Sequence, residues 1–148
     1  MNDLELQYKH EFMELMRGRG FRVQAHEDMI SKFISDLSFS GAGIDGWIEI
    51  KYCEKAPKSL GSIPHYTYGQ QEWLTSRGAV GGGHCYLLVG TPIGHFLWRY
   101  SVLGVARDLP WSESTALAQC VMNLGEIPLF LQRPQRGVWP SGIKGRHR

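Results

Sequence analysis

Apolar positions recur with a helical period at the start of the chain. Leu4, Tyr8, Phe12 and Leu15 fall on one stripe, which predicts an amphipathic helix over residues 3–17, ended by Gly18 and Gly20. Phe21-Arg22-Val23-Gln24-Ala25 reads as a short strand. Two further strands follow, Phe33-Ile34-Ser35-Asp36-Leu37 and Gly46 to Tyr52, and Gly41, Gly43 and Gly46 read as the turn between them. Residues 54–65 form a polar loop, either a substrate contact or a plain connector. A second helix is expected over 66–77, with Gln70, Trp73, Leu74 and Arg77 on one face. His84 to Val89 reads as a buried strand and His95 to Tyr100 as another, with Pro92 and Gly94 turning between them. Pro110-Trp111-Ser112 opens a third helix, with Ser112 as N-cap, Leu117, Cys120, Val121 and Leu124 as its apolar face, and Gly125 as its stop. Pro128, Pro134 and Pro140 predict an extended tail. With no internal repeat, the pattern gives one domain over 1–126, its core at about 3–100, and a tail over 127–148.

The polar residues that interrupt this pattern carry the chemistry. Asp36 lies in one strand of the hairpin and Glu49-Ile50-Lys51 in the other, a spacing that brings Asp36 and Glu49 to one end of the sheet. Side chains alternate along a strand, so Trp47, Glu49 and Lys51 share a face while Ile48 and Ile50 take the opposite one. Two carboxylates beside an ammonium suit a hard divalent cation next to a phosphate. A solvated strand face is the plain alternative, and a D-x(n)-E-x-K match of free spacing is common by chance. In the first helix, Glu11 falls near the middle of the apolar stripe, where an unpaired carboxylate is costly. It must escape to the edge or meet a cation; Glu5 lies nearer the margin. Asp45 is explained by turn chemistry.

Composition narrows the class. A chain of 148 residues with 43% hydrophobic and 20% charged residues is that of an ordinary soluble domain. It has no run long and apolar enough for a membrane span and no N-terminal signal-peptide pattern. Cys53, Cys85 and Cys120 form no C-x-x-C pair and are expected as small, reduced core residues. Gly81-Gly82-Gly83 lacks the Lys-Ser/Thr of a phosphate loop, and the six histidines form no metal or His-Asn-His cluster. Net charge is only +2, but it is divided: beyond Glu126 there is no acid and five cations, Arg133, Arg136, Lys144, Arg146 and Arg148, which leaves the first 126 residues at −3. A basic tail on an acidic body suits a polyanion, with mere solubilisation as the alternative.

The order helix, strand, Asp strand, Glu-x-Lys strand, Gln helix, strand resembles the PD-(D/E)XK nuclease superfamily, and within it the VRR-NUC branch. The matching stretch is about residues 3–90. It includes Asp3-Leu4-Glu5-Leu6-Gln7, Ser35-Asp36-Leu37, Trp47-Ile48-Glu49-Ile50-Lys51, Thr67 to Leu74, where Gln70 is followed three residues on by Trp73, and the strand Tyr86-Leu87-Leu88-Val89. Ser35 stands where the superfamily name has Pro. The resemblance implies an α/β fold with an α+β mixed sheet: a restriction-endonuclease-like αβββαβ core, here followed by a C-terminal helix and basic tail. It implies a metal-dependent DNA nuclease using Mg²⁺ or Mn²⁺, in the cytoplasm of a bacterium or phage-infected host, with DNA as partner, no membrane, and a homodimer left open. It implies metal binding by Asp36, Glu49 and the Ile50 carbonyl, with Lys51 orienting water or neutralising charge and Gln70 as positioning group. Glu5 matches the family's N-terminal Glu-Leu-Gln, whereas helical phase favours Glu11. A nucleic-acid-binding, structural or inhibitor protein on a decayed nuclease fold is the competing class; the presence of Asp36, Glu49 and Lys51 together speaks against decay.

Overall fold

The computed structural model describes residues 3–26 and 35–133. Six strands form one sheet in sequence order, β1 (Arg22–Ala25), β2 (Leu37–Gly41), β3 (Ile44–Tyr52), β4 (Cys85–Thr91), β5 (Gly94–Arg99) and β6 (Gln119–Val121). Every neighbouring pair is antiparallel except β3 and β4, which are parallel. A parallel pair cannot be closed by a tight turn and needs a crossover. Here the crossover carries α2 (Tyr68–Val80).

The alternation read from the sequence sorts the two faces. Ile48 and Ile50 of β3, Tyr86 and Leu88 of β4, and Leu97 of β5 pack with Tyr8, Phe12 and Met16 of α1 (Asp3–Gly18) and with Ile127 and Phe130 of α5 (Glu126–Leu131). On the other face, Leu87, Val89 and Trp98 pack with Leu74 of α2, with Leu60 and Tyr66 of the preceding loop, and with Leu103 and Ala106 of α3 (Leu103–Ala106). The sheet is thus covered on both sides, and β3, near its middle, is buried from Ile48 through Lys51.

The hairpin is tighter than the glycines suggest. Its turn is Ala42-Gly43, with φ of 53° and 80°. Positive φ at both central residues gives the twist that two-residue hairpins require. Gly46 lies inside β3, not in the turn. A Cβ there would run into the His84 carbonyl and the Phe39 ring, so the glycine serves close approach of β3 to neighbouring chain.

Three further expectations are revised. The second helix starts at Tyr68 because Thr67 caps it: the Thr67 hydroxyl accepts from Gln70 N, and the Gln70 side chain accepts from Thr67 N. The third helix is absent. Residues 111–115 make a short α4 (Trp111–Thr115), and Gln119–Val121 leaves the helical path to pair with β5, placing Cys120 in an exposed edge strand. The start of the tail is not extended either: Ile127, Pro128, Phe130 and Leu131 are buried in α5. Arg133 closes the described chain, and Arg136, Lys144, Arg146 and Arg148 lie outside the described residues, as do Phe33 and Ile34.

Candidate active site

The site is built where β2 stops and β3 continues. Their register pairs Leu37 with Ile48, so β2 has no ladder partner for β3 beyond that point. Asp36, in the bend just before β2, fills the gap with its side chain: the Ile50 amide donates to Asp36 Oδ2 at 2.9 Å. That bond replaces a missing ladder bond and fixes the carboxylate beside Glu49. Glu49 and Lys51 emerge together on the α2 face of β3 and are only 1% and 4% exposed. The Lys51 ammonium lies 3.4 Å from Glu49 Oε2 and donates to the His65 carbonyl at 3.0 Å. His65 holds a left-handed backbone, φ 64°, in the loop before α2. The loop after the Glu-x-Lys strand therefore positions the lysine.

A second buried lysine was not anticipated. Lys9 of α1 lies 3.5 Å from Asp36 Oδ1 and is 5% exposed. The cluster is a chain of four groups, Lys9, Asp36, Glu49 and Lys51, two carboxyls flanked by two ammoniums, linking α1 to β3. The two carboxyls abut, and each is an acceptor when ionised. A hydrogen bond between them exists only with a proton between them, and among the described residues Glu49 Oε1 has no donor in reach. Burial, followed by the Asp36 charge, pushes the Glu49 carboxyl up to about 8, with Lys51 pulling the other way. A buried oxygen without a donor calls for a proton or a cation.

Hard oxygen donors fit a divalent cation, and Asp36, Glu49 and the Ile50 carbonyl are the groups on hand. Among the described residues, no group of three or more His, Cys, Asp and Glu side chains forms a metal cage. Two carboxylates with the remaining positions left to water and substrate oxygens is the arrangement Mg²⁺ favours.

The other expected residues are placed differently. Glu11 is exposed, because the buried positions of α1 are Tyr8, Lys9, Phe12, Met13 and Met16, a stripe rotated from the one through Leu4, which is 40% exposed. The Glu11 charge bears on Tyr8 and on His95 of β5. Glu5 is half-buried one turn before Lys9, and its charge bears on Cys53, two residues past Lys51. The Glu5 charge is thus felt at Cys53, just past β3, and the Glu11 charge at His95 of β5. Gln70 is engaged in the helix cap; the interior amide is Gln71, whose Oε1 accepts from Tyr66 Oη at 3.2 Å and from Arg107 Nη1 at 3.0 Å. Lys9 was findable in principle, since Glu5, Lys9, Phe12 and Met16 follow i, i+4, i+7, i+11. Gln71 carries no such signal.

This architecture, a mixed six-stranded sheet with helices on both faces, is a restriction-endonuclease-like fold. The solved structure of Hjc, a Holliday junction resolvase from the archaeal hyperthermophile Archaeoglobus fulgidus, is similar to it with a TM-score of 0.61, covering 83% of this chain and 98% of that chain at 15% identity. At that identity the likeness is one of fold. No protein-family model matches the sequence, and no curated protein is significantly similar to it.

Proposed function

We propose that this chain is a divalent-metal-dependent DNA nuclease of the VRR-NUC kind, hydrolysing phosphodiester bonds in replication, repair or recombination. The observation that carries the reading is the buried Asp36–Glu49 pair beside Lys51, one Glu49 oxygen having no donor among the described residues. The Hjc-like fold supports it and favours branched DNA as the substrate class. A bound Mg²⁺ or Mn²⁺ would supply Lewis-acid stabilisation of the scissile phosphate and a water of lowered pKa. Asp36 and Glu49, with the Ile50 carbonyl, would hold it. Lys51, anchored on the His65 carbonyl, places a fixed positive charge where the phosphate gains negative charge. Glu5, not Glu11, serves as the α1 acid, and Gln71 with Tyr66 and Arg107 braces the loop that positions Lys51.

The test is Mn²⁺ calorimetry with DNA cleavage on a panel of branched, flapped and blunt duplexes. Asp36→Ala and Glu49→Ala are expected to lose both metal binding and cleavage while keeping the wild-type fold. Unchanged cleavage by either purified variant overturns the assignment.

The Lys9–Asp36 pair favours a second reading. An ammonium at 3.5 Å already neutralises Asp36, as a metal-free nucleic-acid-binding protein on this fold would need. In that case Lys9→Met tightens Mn²⁺ binding without creating cleavage.

A further inference from the structure

We infer that the face of α2 beside the acidic pair is a subsite for an unpaired nucleotide, with its base on Trp73 and its phosphate on Arg77. The inference rests on the nuclease reading and names the substrate feature that the enzyme selects. Trp47 and Trp73 meet edge to face at 5.0 Å between ring centroids. The Arg77 guanidinium lies 5.5 Å from both rings. Both tryptophans are half-buried, so each keeps part of a ring surface open, and Arg77 is exposed.

A hollow of about 510 Å³ opens on this cluster, lined by Gly69, Glu72, Trp73, Ser76, Arg77 and Val80. A second, of about 240 Å³, shares Arg77 and Val80 and reaches Trp47. That size suits a small ligand rather than a duplex groove. An aromatic ring with an adjoining guanidinium is the chemistry by which single strands are held: the base stacks and the cation meets the backbone. Glu72, lining the first hollow, and Asp45, lining the second, disfavour a bare anion but accept from a base N–H such as thymine N3–H. A nucleotide therefore fits better than free phosphate.

The subsite is tied to the proposed catalytic pair. Trp47 and Glu49 are successive residues on one face of β3, roughly 7 Å apart at the usual strand rise. The His26 ring packs against Trp47 at a 42° tilt with centroids 4.8 Å apart, and its amide donates to the Asp36 carbonyl at 2.9 Å. A base seated on the cluster and a phosphate at Glu49 would belong to neighbouring nucleotides. Duplex DNA presents no free base face there, whereas a junction, flap or fork does.

The test compares binding, in Ca²⁺ to suppress turnover, of short oligo-dT, a forked duplex and a blunt duplex of the same sequence. The chains are wild type, Trp73→Leu, Trp73→Phe and Arg77→Gln, with melting temperature and sedimentation recorded for each. Wild type is expected to prefer oligo-dT and the fork over blunt duplex. Trp73→Leu should lose that preference by on the order of ten- to a hundred-fold, the scale of one stacked base. Trp73→Phe should restore most of it, and Arg77→Gln should lose part of it. Blunt-duplex affinity should hardly change. Oligo-dT binding that is the same in Trp73→Leu and wild type overturns the inference. So does a dimer that becomes monomeric in either Trp73→Leu or Arg77→Gln, since the hollow would then seat a second copy. Failure of the nuclease reading shows separately, as no cleavage of any DNA in Mg²⁺ or Mn²⁺ by a chain that still binds oligo-dT through Trp73.

Discussion

At the scale of single residues, the site is a problem of compensated charge. Four ionisable groups sit in one largely buried chain, and Glu49 holds its proton up to about pH 8 because burial, and then Asp36, disfavours its anion. A metal must displace that proton, so metal affinity should rise with pH until about 8. At pH 7, Mn²⁺ binding should release close to one proton, measured by calorimetry in buffers of different ionisation enthalpy, and Glu49→Gln should abolish the release. The same shift acts on stability. A carboxyl whose folded value is raised favours the folded state fully below its unfolded value near 4.5, and that contribution is lost as pH climbs toward 8. The metal-free wild type should therefore melt lower at pH 8 than at pH 5 by more than Glu49→Gln does. Equal pH dependence would show that Glu49 is ionised throughout. Lys51→Ala should keep Mn²⁺ binding yet lose about 10²–10³-fold in turnover, the scale of one preorganised charge. Among the α1 acids, Glu5→Gln should lower cleavage more than Glu11→Gln; the reverse ranking would return Glu11 to the site.

Elements explain which parts of this were legible in the sequence. Glu49 and Lys51 could be read from alternation alone, because a strand's period of two is rigid and the faces follow from it. Asp36 was legible as their partner, although it lies in the bend before β2 and reaches Ile50 by a side-chain bond no pattern announces. Helical phase was less secure. Leu4 and Leu15 pulled the α1 stripe one way, while tertiary contact buried Lys9, Met13 and Met16 on another. The false third helix has a similar cause. Leu117, Cys120, Val121 and Leu124 fit a helical period, but β5 offered an open edge, and pairing with it decided the conformation of Gln119–Val121. Gly46 marks where local and long-range demands meet. Gly46→Ala would push a Cβ into the His84 carbonyl, which is backbone and cannot swing aside. It should lower stability by about 1–3 kcal/mol, as overpacking does, and shift β3 with its two catalytic candidates. Denaturant unfolding checks this; a loss below about 0.5 kcal/mol would mean that the strands relax apart at little cost.

For the whole molecule, the proposed function asks how an acidic body would hold a polyanion. The first 126 residues carry −3, and five cations follow Glu126. The chain beyond Glu126 is not uniform, because Ile127, Phe130 and Leu131 complete the core against α1. Truncation before α5 should therefore collapse thermal stability, so the tail's charge is tested by deletion of 134–148 alone. That deletion removes Arg136, Lys144, Arg146 and Arg148 and leaves Arg133 with its helix. If the tail supplies phosphate contacts, each one lost makes the slope of log affinity against log salt shallower by about 0.9 on duplex DNA. The shorter chain should bind DNA more weakly at low salt, converge with the full chain at high salt, and cleave at the same rate under saturating DNA, since Asp36, Glu49 and Lys51 lie elsewhere. A salt titration of affinity in Ca²⁺, with both lengths of chain, measures this directly. Identical slopes would show that the tail only aids solubility, and the body's own cations would then have to carry the phosphate contacts.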